Sequence, residues 1–589
     1  MGLHEPGFHE YNFYDRIVRY SSKMQTECGM NLGSGILVMI AMNQPDKKTV
    51  QLVWLKKDLR LHDHRPLQEA SATHIPALVF YLFEPSVMAD PHHSNRHWTF
   101  VWQSLQEMRR TLSSYGVSLW ILKMEAIDFF HAIQEIYDIQ HLVSHEETGL
   151  DVTYQRDLAV AEWCASNEVM WRESPSNGIH RGLMHRNGWR KRWADRMALP
   201  LFDPDLDALT GADLPESLVA NQVTMEEILA FPGENGTNEA VNATSQNSKA
   251  QGDAATSADA SYLYLHDIQK GGESEAWRTL KHFLEDRAAY YSASISAPGP
   301  ARIGCSRMSP YITWGNISIK QIQWYVSRGY RAGLGVRAEE KVLAPTGVIA
   351  PAGKRGMRSF QSRLGWHCHF IQKLEAEPRM EFENLNRGYD DIRQEKNAML
   401  LKAWEEGQTG YPMVDASMRS LNATGYLNFR MRAMLVSFLT HHLWLDWRDG
   451  SPHLARQFLD FEPGIHFSQF QMQAGTMGVN TIRIYNPVKQ GKDHDPEGRF
   501  VREWVPELRE VPGSLIHEPW LMSEMEQMMA GCRIGVDYPQ PVVPDLKASY
   551  RRASDQLWAK KGESLVKREN LRIMKTHVKK RGDGKADGS

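Results

Sequence analysis

"QLVWLKKDLRLHDH" (residues 51–64) runs from an alternating apolar stretch straight into a cluster of charges, and its reading decides the fold. Alternation over a few residues is the pattern of a β-strand, and the charges that follow read as a loop at its end. The next apolar run, "IPALVFYLFEP" (75–85), is continuous and bounded by prolines, as expected of a strand buried on both faces. Working outward, "NRHWTFVWQSLQEMRRTLSSYG" (95–116) has helical periodicity, "VSLWILK" (117–123) reads as a strand, "AIDFFHAIQEIYD" (126–138) as a helix and "IQHLVSHEE" (139–147) as a strand. Strand alternates with helix, so residues 48–180 are expected to form a doubly wound parallel sheet. No G-x-G-x-x-G follows the first strand, and no dinucleotide fingerprint identifies a ligand for this domain.

The chain of 589 residues exceeds one ordinary core, since a domain takes about 100–200 residues. A segment of 1–47 precedes the first strand, and its apolar run "GILVMIAM" (35–42) is too short to span a membrane. Residues 181–261 read as an interdomain linker; within it 233–261 are rich in Gly, Ser, Thr, Asn and Asp and are expected to be disordered. From 262 to 525 the patterns are helical nearly throughout, and 526–589 read as a basic C-terminal tail. The architecture is thus an α/β N-terminal domain followed by an all-α domain.

A net charge of −3 gives no global attraction to nucleic acid, so affinity for DNA has to come from a local basic patch. Five cysteines, Cys28, Cys164, Cys305, Cys368 and Cys532, are scattered without a CxxC pair, which argues against a disulfide framework or a Cys-based metal site and fits a reducing, cytoplasmic setting. Eighteen tryptophans provide an unusual supply of flat faces for stacking or electron relay.

In the helical half, "RLGWHCHFIQKLE" (363–375) sets a tryptophan beside a His-Cys-His triplet. At about 100° per residue, Phe360, Leu364, Ile371 and Leu374 share one stripe, while His367 and His369 diverge by about 160°. A single ion cannot take both from a helix, because chelation there needs i, i+3 or i, i+4 spacing, and no metal site is expected. Arg363, Trp366 and Phe370 form a second stripe, either a helix–helix contact or a cation-and-aromatic face on which a base could stack.

"VWLKKDLRLHDHRPL" (53–67), "CSRMSPYITWGNIS" (305–318), the Trp366 helix, "GYPMVDASMRSLNATGYLNFRMRAML" (410–435), "LDWRDG" (445–450) and "IRIYNPVKQGKDHDPEGRFVREWVPELREVP" (482–512) together resemble the photolyase/cryptochrome family in order and spacing. The resemblance covers about residues 50–525. It implies a helical domain that holds FAD, and it allows a second antenna chromophore whose identity the residues do not specify. By the same resemblance Cys305, Ser306, Arg307, Met308 and Ser309 bind the flavin phosphates, with Tyr291 upstream; a Ser-rich turn entering a helix suits an anion. Arg432 and Asp460 match an ion pair beside the isoalloxazine, Phe461 and Glu462 follow as cofactor contacts, and Arg430 is expected on the opposite helix face, serving a groove.

The departures are as informative. His466 stands where relatives carry Asn, Asp or Cys facing the reactive flavin nitrogen, and a histidine there is expected to change charge near neutral pH. Phe470 replaces the first tryptophan of the usual electron relay; Trp447 matches the second, and the third is missing from "YDDIRQEKN" (389–397), leaving Trp444 or Tyr485 as substitutes. In the lesion groove Trp366 is retained, Arg363 replaces a glutamate, Phe429 an asparagine and Met472 a second tryptophan, and Gln490 resembles a DNA contact. The resemblance implies a light-dependent DNA photolyase-like enzyme, a monomer acting on UV-damaged DNA with Trp366, Arg363 and His466 at the reacting centre. The alternative it implies is a cryptochrome-type photoreceptor with a signalling partner.

Overall fold

The computed structural model describes residues 47–230, 268–326 and 351–578. The expected N-terminal extension, all but its last residue, and the expected disordered connector lie outside the described residues.

Five parallel strands, β1 (Lys48–Leu55), β2 (Ala77–Leu82), β3 (Leu119–Leu122), β4 (Tyr137–His145) and β5 (Met170–Ser174), form one sheet in the order β3-β2-β1-β4-β5. Successive residues of β1 alternate between two cores: Val53 and Leu55 pack with Val79 and Ile121, whereas Val50, Leu52 and Trp54 pack with Phe80, Phe129 and Phe130. Both faces are covered, which is why these strands are apolar throughout. β5 has no counterpart in the sequence reading: it is an edge strand with the mixed sequence MWRES, exposed over much of its length.

The charged stretch after β1 is not a solvated loop. Lys56, Asp58, Arg60, Asp63 and His64 are all buried. His64 Nε2 and His145 Nδ1 lie 3.0 and 2.7 Å from Asp58 Oδ2, and Arg60 donates to the Gly315 carbonyl at 3.0 Å. Asp63 meets Lys320 at 2.6 Å and accepts from Ser318 at 2.6 Å. Each charge has a partner, within the α/β domain for Lys56, Asp58 and His64 and across the domain boundary for Arg60 and Asp63, and that pairing is what makes burial tolerable. The linker residues after 180 also pack: Trp189, Met197, Leu209 and Ile228 join the core of one sheet face, and Ala212, Leu214 and Leu218 that of the other.

The helical domain is organised by α1 (Pro351–Ala376), α2 (Pro412–Thr424), α3 (Phe429–Ser437), α4 (Trp447–Gln457), α5 (Pro463–Ala474), α6 (Pro487–His494), α7 (Leu546–Lys561) and α8 (Ser564–His577). Phe360, Leu364, Cys368, Ile371 and Leu374 of α1 are buried, as the stripe requires. α5 crosses α1 at Gly464, where a Cβ would stand 2.4 Å from the Ile371 Cα, so only glycine permits this approach.

The segment expected as a basic tail is instead folded through residue 578. Ala553, Leu557, Val566 and Ile573 are buried, Tyr538 donates to Asp415, and His577 contacts Glu377 at 2.7 Å. Its charges occupy one side of each helix while the apolar residues, at helical spacing, cover the domain. Among the described residues no helix is long and apolar enough to cross a membrane.

Candidate functional site: a cofactor cavity with an aromatic mouth

A cavity of about 1090 Å³ opens between α1, α3, α5, α8 and the turn at 305–309. Tyr291, Cys305, Ser306, Arg307, Met308, Ser309, Arg432, Asp460, Phe461, Glu462 and His466 all line it, as do Arg363, Trp366, Phe429, Arg430 and Met472. Residues spread over nearly two hundred positions of sequence are thus brought to one wall.

At one end Tyr291 packs on Phe360 of α1, with ring centroids 6.1 Å apart. The adjoining turn reverses at Arg307, whose φ of 62° is left-handed. Its guanidinium stacks 3.7 Å from the Tyr426 ring, and both of its terminal nitrogens are buried without a partner. Cys305, at the position of a common threonine, turns its thiol toward Tyr426, and burial raises its pKa. Arg363 lies close enough for its charge to act on both Tyr291 and Cys305.

The Arg432 guanidinium nitrogen Nη2 donates to both oxygens of Asp460 at 3.0 Å, while Nε donates to the Leu427 carbonyl at 2.7 Å. Arg430 lines the same cavity rather than a separate face, because it sits in the first turn of α3 at the rim. Glu462 is buried with Oε1 unpartnered; desolvation pushes its pKa up to about 6, opposed by the charge of Lys57.

His466 corrects an expectation. Its Nε2 lies 3.0 Å from both the Ser451 hydroxyl and the Ser451 carbonyl. A carbonyl only accepts, so this nitrogen carries the proton and Nδ1 is bare. Burial, aided by the charge of His92, holds its pKa well below the usual imidazole range. His466 is therefore a neutral, oriented side chain and not a group that switches near pH 7.

The aromatic relay is interrupted where the sequence says it is. Phe470 lines the cavity 4.7 Å from His466, and Trp447 stands behind it at 6.4 Å, buried, donating to Asn384 at 2.9 Å. Trp447 itself does not border the cavity. Tyr485 does, whereas Trp444 lies away from it, between Arg393 and Arg552.

The mouth is aromatic. Trp366 is 53% exposed and Phe429 48% exposed, which is unusual for rings of that size unless something covers them. Trp366 and Phe370 centroids are 5.8 Å apart, so the second stripe of α1 faces the opening and not a neighbouring helix. Gln490 does not join them: it is buried on α6, with Oε1 unpartnered, outside the cavity lining.

Sequence reasoning missed several lining groups. His367, dismissed with the metal reading, is half-buried with both ring nitrogens shielded from solvent and unpartnered, and desolvation lowers its pKa to about 4. His369 also lines the cavity, because the opening wraps around α1 instead of following one stripe. The signal for His367 was its position at the edge of the apolar stripe.

Orphaned donors and acceptors around a large cavity are what a polar ligand would satisfy. His367, Glu462, Asn428, Gln469 and Arg307 all present such atoms on the lining, and their mixed donor and acceptor character fits FAD.

A different crevice lies at the carboxyl ends of β1, β2 and β4, where the strand order reverses and ligands of open α/β sheets usually bind. Its volume is only about 40 Å³, room for a water or two and not for a chromophore. Arg156 fills it, meeting Glu84 at 2.9 Å and both Glu147 and Asp157 at 2.8 Å, with its guanidinium over the Trp54 ring.

Comparison with known proteins agrees with this architecture. Residues 51–186 match the family model described as DNA photolyase, and residues 360–559 the one described as FAD binding domain of DNA photolyase. The chain is 27% identical over 539 residues to deoxyribodipyrimidine photo-lyase of Escherichia coli, covering 87% of this chain and 100% of the relative. It is 26% identical over 521 residues to cryptochrome DASH of Synechocystis, covering 84% and 94%. The crystal structure of a bacterial class III photolyase from Agrobacterium tumefaciens superimposes with a TM-score of 0.71 at 23% identity, over 89% of this chain and 100% of that one. The chain belongs to the photolyase/cryptochrome family, and its helical domain is that family's FAD-binding domain.

Proposed function

We propose that this protein is a light-dependent photolyase-like enzyme that repairs UV-induced pyrimidine dimers in DNA by photoinduced electron transfer. One observation carries the reading: the exposed Trp366 and Phe429, with Met472, ring the mouth of the same cavity whose wall holds the Arg432–Asp460 pair and His466. FAD supplies the light absorption and the transferable electron. The chain's own residues do the rest.

A damaged base pair is already weakly stacked, so extruding it costs least at a lesion. Trp366 and Phe429 offer flat faces for the extruded bases, at about 1–3 kcal/mol per stacked base. Met472 adapts to whatever shape is left between them. Arg363 and Arg430 bring positive charge to the opening, where an electron-rich lesion or a flanking phosphate would be held. The Arg432–Asp460 pair keeps a fixed charge distribution beside the cofactor, and His466, neutral with a bare Nδ1, lines the same cavity. Relatives named deoxyribodipyrimidine photo-lyase support this reading.

The test is illumination of the chemically reduced, FAD-loaded protein with an oligonucleotide carrying one cyclobutane thymine dimer. Recovery of base absorbance in light and not in the dark is expected, with Trp366→Ala losing it. Absence of recovery with FAD intact would overturn repair of this lesion and favour the photoreceptor reading, for which a relative named cryptochrome DASH is the precedent.

A further inference from the structure

Two sets of side chains bring metal-binding atoms together among the described residues: Asp58, His64 and His145, and Asp90, His92 and Glu381. In each set one ligand atom of every residue lies within 4.8 Å of the others. The sets differ in what is already engaged. In the first, His64 Nδ1 accepts the Leu67 N–H at 3.2 Å, so its proton is on Nε2, which faces Asp58, and its one lone pair is used. That set is closed by its own hydrogen bonds.

The second set joins the two domains. Asp90 and His92 sit on the loop that enters the helix Asn95–Ser114 of the α/β domain, and Glu381 ends the short turn Pro378–Glu381 that follows α1. His92 Nδ1 stands 2.9 Å from Asp90 Oδ1, and since a carboxylate only accepts, Nδ1 carries the proton. Among the described residues, His92 Nε2 and Asp90 Oδ2 make no hydrogen bond. Glu381 is 8% exposed; Oε2 accepts the Asp151 N–H at 2.7 Å, while among the described residues Oε1 makes no hydrogen bond and no cation pairs with the carboxylate. Burial pushes the Glu381 pKa up to about 7 against that hydrogen bond, and the charges of Asp90 and Asp151 add to the rise. Negative charge held this way is costly until a cation answers it.

The histidine is also held in place. Its ring lies parallel to Phe461, with centroids 5.8 Å apart, and edge-on to Phe467 at 5.4 Å. Phe461 in turn lines the cofactor cavity.

We propose that Asp90, His92 and Glu381 form a site for one divalent transition-metal ion, which pins the α/β domain to the helical domain behind the Phe461 wall. One imidazole with two carboxylates suits Mn²⁺ or Zn²⁺, with water at the remaining positions, whereas Mg²⁺ favours an all-oxygen shell. On binding, the ring proton moves from Nδ1 to the open Nε2, Glu381 gives up any proton it holds, and the ion takes the place vacated between His92 and Asp90. The site does not depend on the repair reading.

The experiment uses the FAD-loaded full chain with oxidised flavin in the dark, freed of metal by a chelator and gel filtration. Mn²⁺ is titrated and the free ion followed by electron paramagnetic resonance, with Zn²⁺ as competitor. Tm is read in parallel, and flavin absorbance confirms that each variant keeps FAD. Wild type should bind one Mn²⁺ per chain, release it to Zn²⁺ and melt at a higher temperature with either ion. Losing a ligand should weaken binding at least as much as losing a ligand's hydrogen-bond partner does, about tenfold. Glu381→Gln, which keeps an acceptor for the Asp151 N–H, and His92→Gln should each show that loss and no rise in Tm. Asp90→Asn should do the same with the least disturbance of the fold, because Asp90 is partly exposed. Absence of binding by wild type, or binding that survives all three substitutions, overturns the site. An equal rise in Tm with Mg²⁺ would remove the imidazole from the ligand set and overturns it too.

Discussion

The strand-end crevice of the α/β domain and the cavity of the helical domain are built from similar side chains and differ in what is left unpaired. In the crevice, Arg156 divides its donors among Glu84, Glu147 and Asp157, and Lys56 reaches Asp157 at 3.2 Å. One oxygen of Glu84 remains without a partner, and desolvation pushes that carboxyl's pKa up to about 7, so a proton is readily held there. In the cavity, His367, Glu462, Asn428, Gln469, Arg307 and Arg430 all keep unpartnered atoms. Buried charge that is paired holds a fold together; buried polarity left open is a place for something else. The position of a crevice at a topological switch point says less than the state of its hydrogen bonds.

The sharpest way to break this contrast is Arg156→Met, which takes away the cation shared by Glu84, Glu147 and Asp157 and leaves only Asp157 with a second one, Lys56. Global stability should fall by about 3–5 kcal/mol, as read by urea unfolding of the FAD-loaded protein. A loss below 1 kcal/mol would mean the crevice is not held by its charges. On the cavity side, Arg432→Ala leaves Asp460 uncompensated, but Arg432 is partly exposed, so the cost should be nearer about 3 kcal/mol. It should also release FAD, seen as loss of bound flavin absorbance after gel filtration.

Glu462 sharpens the comparison through pH. Its folded pKa is raised from 4.5 to about 6, so the unfolded chain releases the proton first on going to higher pH. The folded state is thus favoured below pH 4.5 and loses that advantage, about 2 kcal/mol, as pH rises through 6. Glu462→Gln should remove this contribution and stabilise the FAD-free chain at pH 7 by a similar amount. Denaturant unfolding at pH 4.5 and 7 checks it; parallel losses in both proteins would refute the assignment.

Phe470→Trp tests the interrupted relay. The added ring crowds a packed wall and should cost about 1 kcal/mol, while flavin photoreduction under blue light with an external reductant should become faster, since Trp447 stands directly behind. An unchanged rate would show that electrons enter by another path, with Tyr485 as the next residue to replace. The smallest effect belongs to Lys489→Ala, which breaks an exposed i, i+4 pair with Asp493 and should change stability by less than about 0.5 kcal/mol.

Much of the site was legible from residue types in order. Arg432 and Asp460, twenty-eight positions apart, pair as the motif implies. The stripe of Arg363, Trp366 and Phe370 faces one opening because helical spacing alone places them together. Gln490 misled because a motif position says nothing about burial. His466 misled because its intrinsic pKa is near neutrality, whereas desolvation beside His92 and a bond to a carbonyl keep it neutral.

By itself, the sequence determined the alternation of strand and helix and the apolar faces, which follow from local period, and its motifs named many residues that line the cavity, Arg432 and Asp460 among them. Only the tertiary structure decided which charges are buried, from Lys56 to His64, and that residues 546–577 are packed helices rather than a solvated tail. It alone brought His577 to within 2.7 Å of Glu377, which lies two hundred positions away in the chain. Burial and electrostatic neighbourhood depend on what the rest of the chain places nearby, and no window of sequence contains that information.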